Sequence, residues 1–142
     1  MSFPLNINLI IPFKDNEGNR LRLYIRSIMD FKLQLEERVE EVLSDLDSLF
    51  AGKCKLTITS RSDGHAKKYF WRFKTRDSDR KFHRVTAEPV VEYLSTVHEQ
   101  QRLRVREHEM ELIYINANLK LLKGMMDSIE QSVEEIDVLV SS

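Results

Sequence analysis

The sequence predicts an α+β protein: two long antiparallel helices, forming a coiled-coil stalk, joined by a small antiparallel β-sheet of about three strands. Three observations lead there. An apolar stripe of helical period runs from about Arg20 to Phe50, an apolar/polar alternation follows between Lys55 and Thr75, and a heptad pattern extends from Glu88 to Val140. With 142 residues, 42% hydrophobic and 32% charged, the chain suits a single elongated domain spanning 1–142 with a modest core.

Residues 1–19 form an N-terminal arm or strand. Leu5, Ile7, Leu9 and Ile11 alternate with Asn6, Asn8 and Ile10 up to Pro12, and Asp15-Asn16-Glu17-Gly18 supplies a turn. A terminal edge strand is the preferred reading, because the asparagines leave only one apolar side. An arm packed on a partner is the other.

Residues 20–51 read as the first helix. Leu21, Tyr24, Ile28, Phe31, Leu35, Val39, Val42, Leu46 and Leu49 recur at steps of three and four. Such a helix is about 46 Å long, and Gly52 can end it in a left-handed cap. Glu36, Glu37, Glu40, Glu41, Asp45 and Asp47 load its outward side with negative charge, which reads as a solvated face. Mimicry of DNA by that acidic face is a further possibility.

Residues 53–86 form a basic aromatic island. From Lys53 to Arg84 there are eleven Lys or Arg against three acids, a net of +8 on a chain of formal charge −1, so the remainder carries −9. Positive charge gathered on one stretch of an otherwise acidic protein points to a polyanionic target. Lys55 to Arg61 alternates as a half-buried strand, with Leu56 and Ile58 on one side. Ser62-Asp63-Gly64 makes a turn, and Lys67 to Thr75 returns with Tyr69, Trp71 and Phe73 on the buried side. After the polar turn Arg76-Asp77-Ser78-Asp79, Arg80 to Thr86 is expected as a third strand. The outward face would then show cations around Phe70, the candidate for stacking on an unpaired base, while Trp71 anchors the core. Five to six phosphate contacts on such a face imply a salt slope of roughly −5. The alternative is a solvated sheet whose charges discourage edge pairing.

Residues 88–140 read as the second helix, with Thr86 as a plausible N-cap and Pro89 in the first turn. Its stripe runs Val90, Leu94, Val97, Gln101, Val105, His108, Leu112, Ile115, Leu119, Leu122, Met126, Ile129, Val133, Ile136 and Val140, about 80 Å if unbroken. Asn116, Asn118 and Gly124 are weak helix formers and leave open a kink or break near 116–124. Helix one covers this stripe only to about Leu119. The remainder, Leu122, Met126, Ile129, Val133, Ile136 and Val140, is therefore expected to form a homodimer seam, or else to be buried by a chain reversal near Gly124. Gln101 and His108 on the seam would set register.

Catalytic and metal signatures are missing from the sequence. Cys54 and His65, His83, His98 and His108 show no zinc-ligand spacing, and none of the four glycines clusters with another. Asp63 upstream of Asp79-Arg80-Lys81 matches the acid, then acid-x-Lys, spacing of a Mg²⁺ nuclease, but both acids fall in expected turns that hold a metal poorly. No enzyme activity, no cofactor and no metal are expected. A lone cysteine, no signal-peptide pattern and no apolar run long enough for a membrane lead to the expectation of a cytoplasmic protein.

The run Tyr69-Phe70-Trp71-Arg72-Phe73-Lys74, the polar turn, Arg80-Lys81-Phe82-His83-Arg84-Val85 and the heptads that follow resemble small proteins of phages and mobile elements that pair a basic sheet with a coiled coil. The same segment is similar to the arm-type DNA-binding sheet of tyrosine recombinases. That resemblance covers about two fifths of the chain and implies DNA contact by Arg61, Arg72 and Lys74 without implying recombinase chemistry. The expected function is a non-enzymatic nucleic-acid-binding accessory protein that contacts DNA or RNA through Lys55, Arg61, Lys67, Lys68, Phe70, Arg72, Lys74, Arg76, Arg80, Lys81 and Arg84. The alternative is a protein-binding inhibitor or adaptor, for example a phage counter-defence factor, whose basic tip engages an acidic partner.

Overall fold

The computed structural model describes residues 19–62, 66–74 and 83–141. The arm or strand expected before Asn19 lies outside them. In chain order the elements are α1 (Asn19–Leu49), β1 (Leu56–Arg61), β2 (Lys68–Phe73), α2 (Glu88–Leu94) and α3 (Glu99–Ser141). The class is α+β as expected, with three helices and a two-stranded antiparallel sheet among the described residues instead of two helices and about three strands.

Helix α1 buries the stripe read from its sequence: Ile28, Phe31, Leu35, Val39, Val42 and Leu46 all face the core. Full burial of a side chain such as Phe31 or Leu46 contributes about 1.5–3 kcal/mol relative to exposure. The helix ends through two left-handed residues, Ala51 (φ 51°) and Gly52 (φ 77°). Gly52 N–H donates to the Asp47 carbonyl at 2.8 Å and Ala51 N–H to the Ser48 carbonyl at 3.2 Å, which satisfies carbonyls the helix leaves open. The glycine was expected here; an alanine sharing the left-handed region with it was not, and its Cβ makes that conformation costlier.

Strands β1 and β2 pair with Leu56 opposite Phe73, Ile58 opposite Trp71 and Arg61 opposite Lys68. Leu56, Ile58, Tyr69 and Trp71 are buried and Phe73 is half-buried, so the alternation selected the inner face correctly. The expected third strand is reduced, among the described residues, to one bridge: His83 and Trp71 exchange backbone hydrogen bonds of 3.0 and 2.9 Å. Beyond it Val85 turns into the core and gives its N–H to the Glu109 carboxylate, so the ladder cannot continue to Thr86. Ala87 N–H bonding back to the Arg84 carbonyl closes a turn instead.

The second helical segment is broken, but not at 116–124. Short α2 follows Ala87, which carries no side-chain cap, so Thr86 is not the N-cap. It stops where the Ser95 and Thr96 hydroxyls donate to the Glu92 and Tyr93 carbonyls, a local bonding mode that competes with continued helix. Helix α3 then starts afresh: Gln101 Oε1 accepts the His98 N–H three residues upstream, the glutamine half of a capping box. From there it runs 43 residues through Asn116, Asn118 and Gly124 without interruption.

This restart changes the helix pairing. Gln101 Nε2 donates to the Leu49 carbonyl, so the start of α3 meets the end of α1, and at the other end Arg22 pairs with Asp137. Leu122 and Ile129 are buried in the common core, with Met126 and Val133 packed against it. The surplus stripe expected from Leu122 onward therefore has a partner within the chain. Ile136 is half-buried and Val140 is exposed. The cause is α2 and its turn, which take up residues expected in the stalk and shift the rest of the heptad back along α1.

Between the helices sits a polar clamp. His108, 3% exposed, places Nε2 at 2.6 Å from Asp45 Oδ2 and Nδ1 at 3.1 Å from Glu111 Oε1. Both ring nitrogens face carboxylate oxygens, an arrangement that an imidazolium satisfies at both positions. Arg38 grips Glu111 with two bonds, at 2.6 and 2.9 Å, and Glu41 at 2.8 Å. This fork is the main reason, followed by the His108 bond, that the Glu111 carboxyl lies below its usual range despite partial burial. A depressed folded value means that the unfolded chain takes up a proton first as pH falls. The clamp's stabilisation should therefore be fully present above the unfolded carboxylate value of about 4.3 and disappear below it. Urea unfolding of the wild type and Arg38→Met should show a stability gap at neutral pH that narrows as pH drops through this range; a constant gap would show that the clamp does not act through Glu111.

Candidate nucleic-acid interface

The β-hairpin does not project from the end of the helical pair as a tip. It lies along its side, because its apolar inner face needs both helices to be covered. Asn116, seventeen residues into α3 and about 25 Å along it, holds β2 through both backbone groups of one residue. Its Oδ1 accepts the Tyr69 N–H at 2.8 Å and its Nδ2 donates to the Tyr69 carbonyl at 3.0 Å. Glu109 Oε2 accepts from Trp71 Nε1 at 2.8 Å and from the Val85 N–H at 2.9 Å, while Oε1 lies 3.3 Å from Arg84. Burial first, then the field of Glu36 and Glu40, pushes the Tyr69 hydroxyl up to about 12. Phe73 meets the His83 and Tyr93 rings edge to face, at 5.8 and 6.0 Å between centroids.

The outer face is ordered in cross-strand rungs. Thr57 is opposite Arg72, Thr59 opposite Phe70, and Arg61 opposite Lys68. The same register places Lys55 against Lys74, whose N–H donates to the Lys55 carbonyl at 2.9 Å. Two rungs thus carry like charges directly opposed, which destabilises a sheet by a few tenths to about 1 kcal/mol per pair. Lys55, Arg61, Lys68 and Lys74 are exposed; Thr57, Thr59, Phe70 and Arg72 are half-buried. Lys68 Nζ sits 5.2 Å from the Phe70 ring centroid, a cation against its π face.

Other cations of the island are held by helix acids. Lys67 lies 3.5 Å from Glu36 and over the Tyr69 ring, and Arg84 pairs with Glu109. Lys55, Arg72 and Lys74 make no ion pair among the described residues. Arg76, Arg80 and Lys81 lie outside them, as do Asp63 and Asp79. Among the described residues no group of three His, Cys, Asp or Glu is placed to hold a metal ion, and no helix is long and apolar enough to cross a membrane. Cys54 is buried, and burial pushes its thiol up, away from the thiolate form that reacts.

A cleft of about 420 Å³ opens where β2 faces α3. Arg61, Lys67, Lys68, Phe70 and Arg84 line one side, and Ile113, Asn116, Ala117 and Lys120 of α3 line the other. The α3 residues are not among those expected from the sequence. The available signal was the pair Asn116 and Lys120, one helical turn apart on a face that is neither the stripe nor its opposite. Compared with protein-family models, curated proteins and solved structures, the chain finds no match.

The arrangement depends on Glu109, whose side chain is only 13% exposed. Truncation would leave the Trp71 and Val85 N–H groups buried without an acceptor and release Arg84. Glu109→Ala should therefore cost about 2–4 kcal/mol in chemical denaturation, with Glu109→Gln, which retains one acceptor oxygen, losing less.

Proposed function

We propose that this protein is a non-enzymatic nucleic-acid-binding accessory factor that contacts phosphates with the outer face of its β-hairpin. The observation carrying this reading is the like-charge rung of Lys55 with Lys74. It weakens the hairpin on its own, and a polyanion laid across it removes the repulsion while releasing counterions. Lys68 on the same outer face, and Arg72 with planar donors suited to phosphate, bring the cations to four. Lys67 and Arg84, engaged by helix acids, contribute less. Four contacts correspond to a slope of log K against log salt of about −3.6 for a duplex and −2.8 for a single strand. Fluorescence anisotropy with labelled DNA and RNA over a salt series should give slopes of this size, and Arg72→Glu with Lys74→Glu should abolish binding at every salt concentration. Binding that is insensitive to salt and to these charge reversals would sink the reading.

The homodimer belongs to this proposal on a different surface from the seam expected in sequence. Leu103, Met110, Tyr114 and Leu121 are 49%, 62%, 65% and 66% exposed and recur at steps of seven, four and seven along α3, outside its buried stripe. Such spacing is a heptad-type stripe suited to self-pairing about a twofold axis. Sedimentation should show a dimer that Leu121→Asp converts to monomer without loss of helicity. A monomeric wild type would reject the dimer.

A further inference from the structure

The geometry points to the cleft between β2 and α3 as a pocket for one unpaired nucleotide, which makes the protein selective for single-stranded nucleic acid. The inference rests on the nucleic-acid reading above and adds the form of the ligand. The pocket has the three features that such a guest requires. Its walls include an aromatic ring, Phe70, and apolar α3 surface from Ile113, which is 45% exposed, and Ala117. A base has a π face to lay on the ring and apolar area to bury.

Its rim is cationic from several directions: Arg61 from β1, Lys68 from β2, Lys67 and Arg84 from the adjoining segments, and Lys120 from α3. Among the described lining residues none is a carboxylate. Glu36 and Glu109 lie behind, holding Lys67 and Arg84. A phosphate on either side of a seated base therefore meets positive charge.

The third feature is size and concavity. About 420 Å³ lies within the range of small-molecule sites and accepts a nucleotide, whereas a base pair with two backbones does not enter unless it is first opened. Specificity for one base is not built in. Asn116, the neutral polar side chain among the described lining residues, is fixed by one bond at each end of its amide to the Tyr69 backbone. The other described polar groups of the lining are flexible cations suited to phosphate, so the pocket should accept any base.

The test uses the full chain and labelled oligothymidine, oligouridine and a duplex of equal length at one salt concentration. At least one single strand should bind 10-fold or more tighter than the duplex, the two arms separating DNA from RNA. Phe70→Leu keeps apolar volume but loses the ring; it should weaken single-strand binding about 5- to 100-fold, at least 5-fold more than it weakens duplex binding, without changing the salt slope. Lys120→Gln, a change on the exposed surface of α3, should lower the single-strand salt slope by about 1. Circular dichroism confirms that each variant is folded. Equal affinity for single strand and duplex, with no effect of Phe70→Leu, overturns the pocket and leaves the electrostatic reading standing. Failure of every nucleic acid to bind at low salt overturns both.

Discussion

The hydrogen-bonded carboxylate of Glu109 is the point through which sheet, connecting segment and long helix are held in one arrangement. It receives the indole of Trp71, the largest fully buried side chain among the described residues, and the amide at which the chain leaves the sheet. A buried carboxylate is costly unless its lone pairs are used, and here both oxygens have partners. With that satisfied, the inner face of the hairpin can close on the helices, and the outer face is left to present charge. Asn116 does related work one helical repeat further on, and His108 with Asp45, Glu111 and Arg38 does it between the helices. The fold is thus a hydrophobic sandwich aligned by three small polar groups.

Much of this was legible in the residues. The helical stripe of α1 and the alternation of the two strands matched the buried faces, because each element has one wet side and the period reports it directly. Helix boundaries were harder. The break at Ser95 to His98 escaped because the apolar heptads continue across it, from Leu94 through Val97 to Val105, while the features that end one helix and start the next are hydrogen bonds of Ser95, Thr96 and Gln101. Asn116, taken as a weak point of the helix, is a tertiary anchor: its propensity cost is offset by two bonds to a strand that no local pattern could have placed beside it.

The separation of charge between segments was plain from the sequence; its direction in space was not. Basic residues concentrated between two acidic helices suggested a tip held away from the stalk. Apolar burial outweighed that simple picture, since Leu56, Ile58, Tyr69 and Trp71 need cover that solvent cannot supply. Docking then divides the cations. Those at the edge of the contact, Lys67 and Arg84, find carboxylates, whereas Lys55, Lys68, Arg72 and Lys74 remain on the outward rungs. The cleft is a product of that docking, for its two sides come from parts of the chain about fifty residues apart.

The contact between Gln101 and the Leu49 carbonyl has a topological corollary. Chain departure from the first long helix and entry into the last occur at one spot, so everything between them is an insertion into a helical hairpin that a brief turn could close. Short closures carry little entropic cost. The helical frame is thus continuous without the inserted lobe, which it grips through Glu109 and Asn116.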